Sequence, residues 1–279
     1  MSLHRALAAA SRFDSKGSAR LTLGAQAIGW VGPPLAAQLA RWPEVFECRP
    51  ESIALAPASP QVLSDALDPI VRTLADEGLI RGWRNERYTI FSPATGAPLF
   101  ALERAALRAF GLTARASHLN GFVRHSSGWH MWIARRSHAK PVDPGMLDNL
   151  VGGGIAEGMD APGTLVKECA EEAGIPAALA ARADHCATLR VTCTVPDGVH
   201  DEIVYAYDLE LPADFEPANR DGEVAQFLRV APAELIDLIA ARQFTVDAGL
   251  VAIDFLARRG CLPRQPEVER QLALLRAAS

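Results

Sequence analysis

A chain of 279 residues, 49% apolar and 22% charged, holds enough material for two compact cores and is longer than one domain of ordinary size needs. Its formal net charge of -5 excludes a broad basic surface for nonspecific nucleic-acid binding, while a small anion held by a local basic cluster stays compatible with it. Cys48, Cys169, Cys186, Cys193 and Cys261 show neither zinc spacing nor a secreted disulfide framework, and no run reaches membrane-span length or reads as a signal peptide. The expectation is a soluble, cytoplasmic protein with reduced cysteines and no membrane partner, its oligomeric state left open by the sequence.

Residues 1–115 form the first expected unit, an accessory domain whose patterns are mostly helical, at 34–41, 60–77 and 99–110, with a strand-like run at 87–91. Residues 111–116 read as a link into a second unit spanning 116–260. There, strands at 118–123, 129–135 and 148–152 precede a helix, and strands at 187–195, 202–211 and 224–230 follow it. Helices at 232–242 and 248–259 close the unit, and 261–279 remains as a C-terminal tail. Strands, helix, strands and helices in this order predict an α/β fold, with an α/β/α sandwich joined to a smaller, mostly helical α+β N-terminal domain.

The most informative stretch is 153–175, GGIAEGMDAPGTLVKECAEEAGI. Glu168, Glu171 and Glu172 stand three and four residues apart, so a helix places all three carboxylates on one face, within reach of one hard divalent cation. Asp160 and Pro162 suit the first turn of that helix, and Gly174 suits its end. Gly153 and Gly154 permit a ligand to approach the backbone closely. A solvated acidic face would give an isolated E-x-x-E-E as readily; the register with the glycines is what argues against it.

These residues resemble the Nudix box, G-x5-E-x7-R-E-U-x-E-E-x-G-U with U bulky and apolar. Gly153 opens it, Glu168, Glu171 and Glu172 supply the helix carboxylates, and Gly174 with Ile175 closes it. Met159 stands in place of the first Glu, Lys167 in place of Arg, and Cys169 at an apolar position. The resemblance implies the Nudix fold and hydrolysis of a diphosphate linked to another group, with Mg2+, or Mn2+ in its place, held by Glu168 and Glu172. Glu171 would act as third ligand or water orienter, and the Gly153 carbonyl as a further ligand. The cation would reduce the repulsion that an anionic phosphorus offers to water.

In this family a glutamate outside the box often serves as general base, and Glu223 in NRDGEV is the first candidate, ahead of Asp221 and the box glutamates; the same segment has ordinary turn chemistry. Upstream, WHMWIARRSHAK reads as a strand carrying Arg135, Arg136 and Lys140 towards the box. The three could hold the phosphate that is not attacked, with Gly154 beside the substrate, or they could simply form a basic strand edge. Alternation along a strand requires one arginine to face in and its neighbour out.

WRNERY (83–88), LERAALRAFG (102–111), HLNGFV (118–123), PGMLDNLVGGG (144–154), KECAEEAGIP (167–176) and DGEV (221–224) extend the resemblance over nearly the whole chain. They look like Nudix proteins related to the Nudix half of fungal thiamine pyrophosphokinase, a group with a characteristic N-terminal domain in which Lys at the Lys167 position is usual. That resemblance implies cleavage of thiamine diphosphate, or of its oxidised derivatives, to monophosphate and phosphate. The rings would need a flat apolar wall, for which Trp83, Phe122 and Trp132 are candidates. A nucleotide or nucleotide-sugar diphosphatase would use the same cation site on another base. RSHAKPVDPG (136–145) also resembles the isopentenyl diphosphate isomerase motif, but LDNLVGGG lacks the cysteine that enzyme needs. A non-catalytic metabolite-binding Nudix protein is the remaining alternative; retained carboxylates and the absence of a basic recognition helix speak against it.

Overall fold

Local pairing, more than helix pattern, builds the N-terminal part of the chain. The computed structural model describes residues 3–126, 128–262 and 264–277. After helix α1 (Leu3–Ala10) come strands β1 (Ala19–Leu23) and β2 (Gln26–Val31), helix α2 (Pro33–Leu39), and strands β3 (Phe46–Arg49) and β4 (Ser52–Leu55). β1 and β4 pair in parallel, giving one sheet in the order β2-β1-β4-β3. Helix α3 (Pro60–Asp76) starts on a proline whose fixed φ suits a first turn, and its Leu63, Leu67, Ile70, Val71 and Leu74 join the core with Leu21, Ile53 and Leu55 of the sheet. Strands β5 (Arg87–Phe91) and β6 (Pro98–Glu103) form a separate ribbon, and a 3-10 turn leads into α4 (Leu107–Phe110).

This unit holds six strands where the sequence reading placed one, and β6 replaces the first half of the helix expected at 99–110. Cross-strand partners decide it. Tyr88 lies opposite Leu102 and Ile90 opposite Phe100, all buried, and that packing outweighs the helix preference of Leu and Ala.

No linker follows. Strand β7 (Thr113–His125) begins inside the segment expected to connect the units, two residues after Gly111, whose φ of 56° turns the chain at the end of α4. Then come β8 (Gly128–Arg136), β9 (Leu147–Asn149), β10 (Val151–Gly154), α5 (Ala161–Glu172), α6 (Ala177–Ala180), β11 (Asp184–Val195), β12 (Gly198–Glu210), β13 (Val224–Val230), α7 (Pro232–Ala240), α8 (Val246–Arg258) and α9 (Pro266–Ala277). The sheet runs β11-β12-β7-β8-β13, with β7 and β12 parallel. The single strand expected at 148–152 is two strands broken at Leu150: β9 pairs with β8 and β10 with β7.

Alternation on β7 divides the interior. Leu119 and Val123 pack with Leu165 and Cys169 of α5, while Phe122 faces a second core containing Met131, Ile133 and α8. Helices therefore cover both faces, the expected α/β/α arrangement. Every residue from Ala248 to Leu256 is buried, which requires α8 to be covered on its outer side as well. Helix α1 does this through Leu3, Leu7 and Ala10, and α9 packs in turn on α1 and β11, adding Val268, Leu272 and Leu275 to the same core. Both depart from the expected division of the chain: residues 3–10 pack with the second unit, and residues 266–277 of the expected tail are a helix. An apolar stripe needs a partner face, and α8 supplies it. Among the described residues no helix is long and apolar enough to cross a membrane.

Candidate active site

Helix α5 begins on Asp160, whose side chain accepts a hydrogen bond from the Gly163 N–H at 2.8 Å. It ends at Gly174, whose φ of 64° lets the Ile175 N–H bond back to the Cys169 carbonyl at 2.9 Å. Cys169 faces the core and so fixes the helix's rotation. Glu172 is thereby turned inward and is 6% exposed, with its Oε2 accepting the Gly152 N–H at 2.9 Å. Glu168 is half-buried against Gly153, where a methyl group would overlap its Cγ. Glu171 is the outermost of the three. Lys167 donates to Glu168 at 2.9 Å and to Glu171 at 2.8 Å.

Burial pushes the pKa of Glu168 up, against the pull of Lys167, and pushes Glu172 well above the usual carboxylate range. A second set of acids is brought to them by the loop before β13. That loop docks on the end of α5 through Ala218 N–H to the Ala173 carbonyl (3.0 Å) and Arg220 N–H to the Glu171 carbonyl (2.9 Å). Carboxylate oxygens of Glu172, Asp221 and Glu223 consequently lie within 4.8 Å of one another. Asp221 also accepts the Glu223 N–H at 2.8 Å, fixing that turn. Burial alone would raise Glu223, but a hydrogen bond from Lys140, with the charges of Lys140, Arg84 and Arg104, holds its pKa below the ordinary value.

The basic segment is arranged differently from the expected phosphate cluster. Arg136 and Lys140 line the cleft beside the acids, whereas Arg135 is not among the lining residues and donates to the Gly145 carbonyl at 2.9 Å. One arginine in and one out is what strand alternation requires. Arg136 is held by Asp148 at 2.8 Å and by the Val142 carbonyl at 3.0 Å, and Lys140 is held by Glu223. Both cations that this segment brings to the cleft are thus already paired with carboxylates. Additional positive charge comes from the N-terminal unit, in Arg84 and Arg104, which line the same cleft. Arg104 is paired with Glu86 at 2.6 Å, and among the described residues the Arg84 guanidinium has no ion pair.

This cleft, about 930 Å³, is walled by both units. Gly152 and Gly154 of β10 form part of its floor; a methyl at Gly154 would overlap the hydroxyl of Tyr88, which belongs to β5. The expected aromatic wall is absent from the lining. Phe122 and Trp132 are 4% and 5% exposed and packed in the two cores, because their strand positions point into the layers. Trp83 lies elsewhere, stacked under Arg72 at 4.8 Å. In their place the cleft presents Tyr88, His118, His200, Glu202 and Asp247. Tyr88 and His118 fall inside the quoted segments WRNERY and HLNGFV, which is the one signal that singled them out. His200, Glu202 and Asp247 carried none.

Residues 119–249 match the family described as the NUDIX domain, and residues 2–114 match a domain of unknown function, DUF4743. Residues 119–249 thus form a Nudix domain. Two curated Arabidopsis thaliana proteins are similar over both parts. Nudix hydrolase 20, chloroplastic, is 40% identical over 217 residues, covering 77% of this chain and 57% of that protein, and Nudix hydrolase 24, chloroplastic, is 39% identical over 219 residues, covering 78% and 59%. The chain therefore spans less than two thirds of the length of these relatives. The crystal structure of DR0079 from Deinococcus radiodurans aligns with a TM-score of 0.45 at 24% identity, covering 64% of this chain and all of that one.

Proposed function

We propose that this protein hydrolyses a diphosphate linkage with the help of a divalent cation. The observation that carries the reading is the convergence of Glu172, turned inward by α5, with Asp221 and Glu223 from the loop before β13, and with Glu168 half-buried one turn earlier on the same helix. Carboxylates whose pKa values burial raises, against the pull of Lys167 and Lys140, are an all-oxygen donor set suited to Mg2+ or Mn2+. Glu168 and Glu172 would hold the ion, with Glu171 and the Gly153 carbonyl at its margin. Such an ion supplies charge neutralisation at the diphosphate and a lower pKa for an attacking water. Glu223, kept ionised by Lys140, is the group placed to take the water's proton. Arg84, which has no ion pair among the described residues, would hold the phosphate that is not attacked, with Arg104 and Arg136 behind it.

The substrate we propose is thiamine diphosphate or an oxidised derivative, cleaved to the monophosphate and phosphate. The quoted segments beyond the box support this, as does the character of the cleft, whose end away from α5 is lined by Glu202 without a hydrogen-bond donor among the described residues and so suits a ring that carries N–H donors or positive charge. The test is release of phosphate and monophosphate with Mg2+ from thiamine diphosphate, its oxo and oxy derivatives and a nucleoside diphosphate panel, with Glu172→Gln as control. Faster turnover of the thiamine compounds, lost in the variant, is the expected result. Turnover of nucleotides alone would keep the cation site and overturn the substrate, and no turnover by the unaltered protein would favour a metabolite-binding role.

A further inference from the structure

The end of the cleft away from α5 carries groups that diphosphate cleavage does not use. His200 Nε2 lies 2.7 Å from Asp247 Oδ1 and 3.8 Å from Glu202 Oε2. Burial works against a charged His200, yet the Asp247 charge and hydrogen bond lift its pKa to about 9, so the imidazolium neutralises Asp247. Among the described residues the Glu202 carboxylate has no hydrogen-bond donor, and it opens on the cleft.

An independent observation points to the same place. The Tyr88 hydroxyl is buried without a hydrogen-bond partner, in a residue 5% exposed. It lines this cleft from the N-terminal unit, pressed on Gly154, where it feels the charges of both Glu168 and Glu202. A buried hydroxyl is seldom left unpaired, and one that faces a cavity can be completed by a ligand.

Sheet register sets the span between the two ends. Gly154 pairs with Ala116, Ala116 with Val204, and Glu202 lies two residues before Val204 on β12. Two strand spacings of about 4.8 Å and two residues of about 3.3 Å put Glu202 roughly 12 Å from Gly154 between Cα atoms. A diphosphate esterified through a short linker to a ring system fills that length.

We infer that Glu202, assisted by Tyr88, is the subsite for the organic half of the substrate and selects diphosphate esters bearing an amino-substituted or cationic nitrogen heterocycle. Burial, with the Asp247 charge, raises the Glu202 pKa, so a ring that brings N–H donors or positive charge favours its carboxylate, and Tyr88 completes one ring heteroatom. The assignment rests on the diphosphatase reading above.

The test uses the full chain with Mg2+ and three probes: thiamine diphosphate with its 4-amino ring, oxythiamine diphosphate with a 4-oxo ring, and ringless isopentenyl diphosphate. Calorimetric binding of unphosphorylated thiamine adds a readout independent of hydrolysis. Glu202→Gln is expected to lower the ratio of kcat/KM for thiamine diphosphate over isopentenyl diphosphate about tenfold, through KM, and to weaken thiamine binding to a similar degree. Tyr88→Phe is expected to lower the ratio about threefold. An unchanged ratio with unchanged thiamine binding would overturn the inference while leaving the hydrolase reading intact, and equal losses on ringed and ringless substrates would reduce Glu202 to a structural role. Thiamine binding that depends on Glu202 in a protein hydrolysing no diphosphate would keep the subsite and discard the hydrolase. If thermal melts show Glu202→Gln to be unfolded, Tyr88→Phe decides by the same ratio.

Discussion

The two ends of the cleft handle negative charge in opposite ways. Beside α5, Glu168 and Glu172 are packed together with their pKa values raised, and Lys167 and Lys140 attach to outer partners without relieving the innermost acid. At the other end Asp247 has an imidazolium 2.7 Å away, and its pKa falls. Beside α5 the buried acids are left in need of a cation; at the other end His200 answers Asp247, and Glu202 alone keeps a pKa raised by burial. The difference teaches that acidity alone does not set the demand for a cation; burial without a counter-charge does.

The largest expected effect bears on the uncompensated end. Glu172→Gln should lower kcat about 10³-fold in phosphate release, and a variant that keeps wild-type turnover would erase the distinction. The same change should help the metal-free fold. Because burial raises the folded-state pKa of Glu172, its contribution is fully present only below the ordinary carboxylate range and is lost as pH rises. The variant's melting temperature without Mg2+ should therefore exceed that of the unaltered protein increasingly with pH, and added Mg2+ should close the gap.

Asp247→Asn probes the compensated end. Leaving His200 buried without its counter-charge should cost about 3 kcal/mol in urea unfolding at pH 6. The folded pKa of His200 is raised to about 9, so its stabilisation is complete below the unfolded value and lost as pH climbs through 9. The penalty of the substitution should shrink accordingly towards pH 10, and a penalty independent of pH would break the pairing argument.

Glu223→Gln should reduce turnover about 10²-fold with little change in KM, since Lys140 then loses its charged partner while the loop remains tied by Asp221. Smallest is Gly154→Ala, where overlap with the Tyr88 hydroxyl should cost about 1–3 kcal/mol of stability. Combining it with Tyr88→Phe should recover part of the loss in a double-mutant cycle, and strict additivity would separate the two residues.

The uncompensated end was legible because its residues lie on one helix, where three- and four-residue spacing is itself the geometry. Glu223 was legible as a short loop motif, but its pairing with Lys140 was not, since nothing local links positions 83 residues apart. Arg136 and Lys140 looked free in the sequence for the same reason. The other end escaped notice entirely. Tyr88 sits on the β5-β6 ribbon, His200 and Glu202 on β12 and Asp247 at the start of α8, and only the tertiary packing of these three elements brings them together. Phe122 and Trp132 were misjudged through facing: an aromatic on a central strand points into a packed layer unless an edge or a missing helix opens it. The second unit was easier to read than the first, whose strands β1 to β4 are only four to six residues long and too short to show a clear period.

Helix α1 gives the two units an unequal dependence on each other. Leu3, Leu7 and Ala10 are synthesised more than 200 residues before α8, which carries their binding face. The core of the second unit is thus sealed late, by a segment that must stay unengaged while residues 19–110 complete their own packing. Removing residues 3–10 would uncover α8 and leave the accessory sheet untouched, so α1 serves as the closing latch of a distant half of the chain.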